Sequence, residues 1–281
     1  MKLMLKRWAW KIKCFWLRVV FNIKPSTAKD KQLIICGLPR SGTSLLFNIV
    51  SGICPELEPY TGHKNHFSKE ASFLKVILKK GDFVTKLPKD IFNVQKVSDN
   101  NPRKKKILVF ICVRDVRDLL VSKHQMLPDK YYMGYDWKLD SSNGKLQSNG
   151  IKAFYDQIRK VLENTPDNIT LQLIKYEELT DDPSFIKDYL ENFELKVTRS
   201  PADYSKSKSL PYSSSDNISK GHEYSGITKH DSKWKINKQD ADTVEQALAM
   251  HPELIEINRY FGYEEAQLAW ANKHECSSFL P

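Results

Sequence analysis

KQLIICGLPRSGTSLLFNIV occupies residues 31–50. Within it, Leu33–Cys36 is a short unbroken apolar run, the pattern of a strand buried on both faces. The segment Gly37-Leu38-Pro39-Arg40-Ser41-Gly42-Thr43-Ser44 then brings two glycines, one cation and hydroxyls at 41, 43 and 44. Leu45, Leu46, Ile49, Val50 and Ile53 recur at helical spacing, so a helix is predicted to begin near Thr43. A strand, a glycine-bearing loop and a helix turn successive backbone N–H groups and the positive helix end onto one point. That point suits a phosphate or a similar oxyanion. The nucleotide-binding pattern G-x-x-x-x-G-K-[ST] would require lysine where this chain has Thr43, and Arg40 instead places a cation inside the loop.

A second run, Ile107–Val113, reads as the most strand-like stretch and as central to a parallel sheet. It ends in Arg114-Asp115-Val116-Arg117-Asp118, where a helix opens with acids in its first turn. Asp115, Arg117 and Asp118 read as capping and ion-pairing residues, and Tyr176 and Trp234 as structural. Strands are also expected at Phe83–Leu87 and Ile169–Lys175, and helices at Phe67–Lys80, Ile151–Leu162, 240–250 and 252–261. Asp182 with Pro183 would open another helix. Residues 128–149 read as a polar loop, Arg103-Lys104-Lys105-Lys106 as a solvated turn, and 200–235 as a lid. The fold class that follows is α/β, a P-loop-like three-layer arrangement with a central parallel sheet flanked by helices. In such sheets ligands gather at the carboxyl ends of strands.

The 281-residue chain carries a net charge of +10, which raises the question of nucleic acid. Seven cations (Lys2, Lys6, Arg7, Lys11, Lys13, Arg18 and Lys24) fall in the first 28 residues, with no acid before Asp30. The excess therefore belongs to an arm, and a nucleic-acid partner is not expected. On a helix, Met4, Leu5, Trp8, Ile12, Phe15, Trp16 and Val19 share one face, and cations occupy the rest. The uncharged runs are too short for a membrane span or the core of a signal peptide. Residues 1–24 instead fit an interfacial helix drawn to anionic lipid, with packing against protein as the alternative. The organisation expected is a basic amphipathic arm at 1–28, an α/β domain at 29–265 and a polar tail at 266–281. Cysteines 14, 36, 54, 112 and 276 show no paired spacing, which fits a reducing compartment and no metal site. The expected location is cytoplasmic, peripheral on the membrane.

Taken together, residues 31–264 resemble the sulfotransferases that use 3′-phosphoadenosine 5′-phosphosulfate (PAPS). GLPRSGTSLL is similar to the family's 5′-phosphosulfate loop, which implies donor contacts from Arg40, Ser41, Gly42, Thr43 and Ser44. VRDVRDLLVS resembles the 3′-phosphate motif, implying Arg114 and Ser122. Thr85-Lys86-Leu87-Pro88 resembles the element whose lysine lies near the transferred sulfate, implying Lys86. Lys220-Gly221 resembles a late segment that folds over the 3′-phosphate. Lys175-Tyr176-Glu177-Glu178-Leu179 and Arg259-Tyr260-Phe261-Gly262-Tyr263 are also similar to family stretches. The resemblance implies PAPS as co-substrate, a hydroxyl acceptor and no metal.

The general base is less directly marked. The phenol and steroid branch carries a histidine before the 3′-phosphate strand, and residues 85–113 contain neither His nor Glu. The carbohydrate and tyrosylprotein branches are closer, with His63 and His66 the first candidates, then Glu70 and Glu58. With a membrane-seated arm, a glycan or glycolipid becomes the leading acceptor. Two other readings stay open: a P-loop kinase or NTPase with Asp115 holding a metal, and a non-catalytic anion-binding membrane adaptor.

Overall fold

The computed structural model describes residues 30–60, 76–77, 79–124, 127–140, 143–206, 227, 232–263 and, in the arm, 8, 12, 15, 16 and 19. The described residues fall into two compact units, one within 1–114 and 156–231, the other within 115–155 and 232–281.

The first unit is built on five parallel strands. These are β1 (Lys31–Gly37), β2 (Glu58–Tyr60), β3 (Phe83–Lys86), β4 (Lys106–Val113) and, later in the chain, Ile169–Lys175, which becomes β9. Their order is β2-β3-β1-β4-β9, so β1 is the middle strand. The strand over 106–113 is interior but not central, lying between β1 and β9. Both β1 and β4 are buried almost throughout, as unbroken apolar runs require when both faces are covered.

Register decides the packing. Leu33 pairs with Val84 and Leu108, and Ile35 with Lys86 and Phe110, so these side chains share a face. That face meets Leu46, Phe47, Ile49, Val50 and Ile53 of α1 (Thr43–Ile53), joined by Leu179, Ile186, Leu190 and Tyr204. After β3 the chain makes a 3₁₀ turn, Pro88–Asn93, and a short helix α2 (Val94–Asp99). The turn is held to β1 by the Leu87 N–H donating to the Ile35 carbonyl at 3.1 Å.

The second unit begins with α3 (Val116–Leu120), a helix of five residues. The stretch read as a polar loop contains two small antiparallel pairings. β5 (Lys123–His124) pairs with β6 (Leu127–Tyr131), and β7 (Lys138–Leu139) with β8 (Leu146–Gln147). Three of these strands have only two residues and the five of β6 are largely exposed, so none carries the period-2 apolar pattern of a strand in the sequence. Helices α7 (Lys238–Met250) and α8 (Glu253–Tyr260) complete this unit, α7 capped by Asn237 accepting from the Asp240 N–H at 2.8 Å.

Between the segments of the two units run α4 (Ile151–Glu163), and after β9 come α5 (Tyr176–Asp181) and α6 (Phe185–Asn192). Asp182 does not open α6, which starts three residues later. Its carboxylate instead accepts from the Ser184 N–H at 2.9 Å and hydroxyl at 2.7 Å, closing the intervening turn. The expected helix over 67–80 and lid over 200–235 lie largely outside the described residues, with Pro201–Lys206 forming a 3₁₀ turn.

Two charged groups depart from expectation. The basic run at 103–106 is not uniformly solvated, because Lys105 is only 2% exposed. Its ammonium donates to the Gly81 carbonyl at 2.9 Å and lies 4.8 Å from the Phe83 ring centre. Burial lowers its pKa to about 8. Asp90, in the turn after β3, is fully buried, and neither carboxylate oxygen has a hydrogen-bond partner among the described residues. Burial pushes this carboxyl well above the usual range.

The raised Asp90 pKa means the folded protein keeps this proton to higher pH than the unfolded chain does. Stability should therefore fall as pH rises above about 4, through the folded-state pKa. Asp90→Asn, which has no proton to lose, should flatten that fall and be more stable than wild type at pH 8. Urea unfolding between pH 4 and 8 measures both slopes, and equal slopes would refute the assignment.

Candidate functional site

The site is assembled at the carboxyl ends of β1, β3, β4 and β9. Gly37, at the end of β1, has φ +121°, and a Cβ there would lie 2.2 Å from the Cys112 carbonyl oxygen. Only glycine permits this approach of the loop to β4. The same carbonyl accepts from the Leu38 N–H at 2.9 Å and lies 3.0 Å from the Ser41 hydroxyl. Ser41 also donates to the Leu38 carbonyl at 2.5 Å and is wholly buried. Its hydroxyl therefore fastens the loop to the sheet.

Arg40 is in the left-handed region at φ +66°. The turn directs its carbonyl to Arg114, whose Nη1 donates to it at 3.3 Å. Gly42, at φ +84°, precedes the first residue of α1 without a side-chain cap, so the first-turn N–H groups are not consumed by one. Thr43 opens the helix nearly buried, and the Ser44 hydroxyl accepts from the Lys86 ammonium at 3.0 Å. Lys86 is partly buried, and desolvation lowers its pKa to about 8. Its proton is thus held less firmly than on a surface lysine.

Arg114, one residue beyond β4, is 5% exposed, and its guanidinium lies over the Tyr176 ring with Cζ 4.4 Å from the ring centre. Register explains the meeting. Val113 pairs with Lys175, so Arg114 and Tyr176 leave adjacent strands side by side. The Tyr176 ring also fills the space beside Gly42, where a Cβ would lie 2.5 Å from Cδ2. The loop Arg40–Ser44, Lys86 and Arg114 thus come together in the first unit. Tyr176 is the participant that sequence reasoning treated as only structural. The signal was present in its motif and in its place directly after a strand.

Ser122 belongs to the second unit. It lies beyond α3 rather than within it, its N–H donating to Leu119 at 3.1 Å and its carbonyl accepting from Tyr132 at 2.8 Å. Asp115 is the cap of α3. Its carboxylate receives the Arg117 N–H at 2.9 Å and the Arg117 guanidinium at 2.5–3.0 Å, and also the Asn258 amide at 2.9 Å. An acid so engaged is not placed to hold a metal, which removes the feature that motivated a kinase. Glu58 is exposed and paired with Phe83, three residues or about 10 Å along the strand from the Lys86 position. His63, His66, Glu70, Lys220 and Gly221 lie outside the described residues. Among the described residues no group of three or more His, Cys, Asp or Glu gathers as a metal site would require.

A family model described as "Sulfotransferase domain" matches residues 30–259. The chain belongs to the sulfotransferase domain family. It is a transferase that moves a sulfuryl group to a hydroxyl-bearing acceptor, in a family whose donor is PAPS. Comparison with curated protein sequences yields no match. Among solved structures, the sulfotransferase domain of the Synechococcus PCC 7002 olefin synthase is similar at 12% identity and a TM-score of 0.49. The alignment covers 86% of this chain and 97% of that one. Mouse sulfotransferase SULT7A1, in complex with PAP, is similar at 17% identity and a TM-score of 0.44, covering 86% and 93%.

Gly37→Ala should be the most damaging single-methyl change in the sulfotransferase loop. The new Cβ would collide with backbone that cannot swing away, on a residue already at positive φ, costing about 3 kcal/mol. Chemical denaturation measures it. A loss below 1 kcal/mol would mean that the β1–β4 approach is not as tight as the geometry requires.

Proposed function

We propose that the loop Arg40–Ser44 holds the phosphosulfate of PAPS, and that Arg114 with Ser122 holds the 3′-phosphate. Lys220-Gly221 would close over that phosphate. The observation that carries the reading is the linkage of the two cationic positions, the Arg114 guanidinium bonded to the carbonyl of Arg40 within the loop. The α1 N-terminus, the loop and Lys86 suit a dense anion without any need for a metal to bridge phosphates. This part of the chain, 29–265, forms the transferase domain, between the arm at 1–28 and the tail at 266–281.

The reaction follows from that placement. The acceptor oxygen attacks sulfur nearly in line. The new O–S bond forms as the bond from sulfur to the phosphosulfate bridging oxygen breaks, and adenosine 3′,5′-bisphosphate leaves. His63 or His66 takes the hydroxyl proton. Lys86, already donating to Ser44, neutralises charge building on the bridging oxygen. Its pKa of about 8 leaves it largely protonated at neutral pH and able to strengthen its hold as negative charge develops.

The acceptor is a glycan or glycolipid hydroxyl, presented at an anionic membrane to a cytoplasmic, peripherally bound enzyme. The support is the arm. Trp8, Ile12, Phe15 and Trp16 are helical and between 51% and 63% exposed, an unusual display of large apolar side chains beside so many cations. No helix among the described residues is long and apolar enough to cross a membrane.

Calorimetric titration tests the donor site. Wild type should bind adenosine 3′,5′-bisphosphate and not ATP–Mg²⁺, and Arg114→Ala should weaken the bisphosphate at least tenfold, about 1.5–3 kcal/mol for a charge-assisted contact. Binding of ATP–Mg²⁺ alone would overturn the reading. For the arm, sedimentation with phosphatidylserine vesicles should carry down wild type in a salt-sensitive manner, and Trp8→Ser/Phe15→Ser/Trp16→Ser should stay in solution. Equal sedimentation of both would exclude an interfacial arm.

A further inference from the structure

The turn that follows Lys86 is short and closely held. The Leu87 N–H donates to the Ile35 carbonyl of β1 at 3.1 Å, and the Asp90 N–H donates to the Leu87 carbonyl at 2.9 Å. Leu87, Lys89 and Phe92 are exposed, whereas Asp90 and Ile91 have no exposure. An isoleucine in that place is ordinary, and a carboxylic acid is not. The Ile91 carbonyl accepts from the Gln157 amide at 3.4 Å, but among the described residues nothing hydrogen-bonds either carboxyl oxygen of Asp90.

The elements around the turn do not compensate that acid. On β1 its titratable neighbour is the Cys36 thiol, which burial keeps protonated and which Asp90 makes harder still to ionise. Lys31, at the other end of β1, donates to the Glu194 carbonyl. On α2, Lys96 and Asp99 are exposed and bonded to Asn93 and Gln95. On α4, Asp156, Arg159 and Lys160 around Gln157 are exposed. Within the turn's own segment Lys89 is exposed and the Lys86 ammonium donates to Ser44. Burial therefore acts on Asp90 without an opposing charge.

We propose that Asp90 is a positioning residue for Lys86: as a neutral acid it seats the turn against β1 and keeps the lysine at Ser44, and its ionisation releases both. The inference rests on the reading that Lys86 serves the sulfuryl end of the donor. An unpaired carboxylate is not tolerated in such a place, so an ionised Asp90 must move to water. Asp90 is bonded to Leu87, and Leu87 is the residue that ties the chain directly after Lys86 to β1. Withdrawing the acid therefore loosens the lysine's own anchorage. The sign follows from linkage. In the open turn the acid has an ordinary pKa of about 4, and the closed turn keeps its proton to higher pH. Between those two values, opening becomes easier by up to about tenfold per pH unit. Lys86, with a pKa of about 8, adds its own loss of charge at alkaline pH. Donor binding should thus have two contributions to its alkaline decline, and only one of them should vanish with Asp90.

The experiment combines hydrogen-exchange mass spectrometry of the peptide spanning 84–94 with calorimetric titration of adenosine 3′,5′-bisphosphate, both from about pH 6 to 9. The samples are wild type, Asp90→Asn, Lys86→Ala and the Lys86→Ala/Asp90→Asn double variant. Asp90→Leu, apolar and close in size, carries the same expectation where the asparagine does not fold. After correction for the intrinsic base-catalysed rate, opening of the turn should rise with pH in wild type and stay level in Asp90→Asn. Over the same range wild-type affinity should fall about tenfold more than that of Asp90→Asn. In the Lys86→Ala background Asp90→Asn should leave the affinity profile unchanged, since its effect passes through the lysine. The proposal is overturned if wild type and Asp90→Asn open with the same pH dependence, or if their affinity profiles coincide. It is equally overturned if Asp90→Asn shifts the profile as much without Lys86 as with it. A wild type that does not bind the bisphosphate at any pH would instead refute the donor assignment, and the exchange comparison would then decide by itself whether Asp90 seats the turn.

Discussion

The carbonyl oxygen of Cys112 is the point on which the site depends. It accepts from the Leu38 N–H, lies within bonding distance of the Ser41 hydroxyl, and leaves no room for a side chain on Gly37. These contacts press the start of the loop against β4, two residues before Arg114. Because β1 and β4 are parallel neighbours with Gly37 paired to Cys112, the loop and Arg114 emerge from the sheet together. Arg40, Lys86 and Arg114 owe their proximity to strand pairing.

Charge is handled differently in the two units. In the second, Asp115, Arg117 and Asn258 satisfy one another, and Arg117 lies 4.9 Å from the Trp234 ring centre, a closed network with its partners supplied internally. A buried pair of this kind recovers its desolvation cost only through such geometry. In the first, Lys86 and Asp90 sit at either side of one tight turn, and burial disfavours the charged form of each. An anion beside Lys86 would offset that cost. Among the described residues nothing hydrogen-bonds the Asp90 carboxylate, and burial favours its neutral form.

Much of the sheet was readable because fully buried parallel strands are written as unbroken apolar runs. β1 and β4 announce themselves in this way, β9 by the alternation of Ile169, Leu171 and Leu173 with Thr170 and Gln172, and α1 by its 3.6-residue spacing. Lys105 was not readable. In a run of four cations nothing distinguishes the one whose ammonium turns inward to the Gly81 carbonyl and the Phe83 ring. Nor was it readable that the chain leaves α3 after Leu120, before Ser122, to start the β5–β6 pairing. That the Ser41 hydroxyl ties the loop to the Leu38 and Cys112 carbonyls was not readable either, because Cys112 comes beside it only through strand pairing.

By itself, then, the amino-acid order determined the α/β class, the strand–glycine loop–helix at Gly37–Ile53 and the family. Each of these depends on local pattern: apolar runs, glycine spacing and motif chemistry. Only the tertiary structure decided that β1 is the central strand, that Arg114 reaches the carbonyl of Arg40, and that Tyr176 stands between Arg114 and Gly42. Those facts depend on which strands pair and in what register. Register is a property of long-range packing, which residues many positions apart settle together and no single stretch contains.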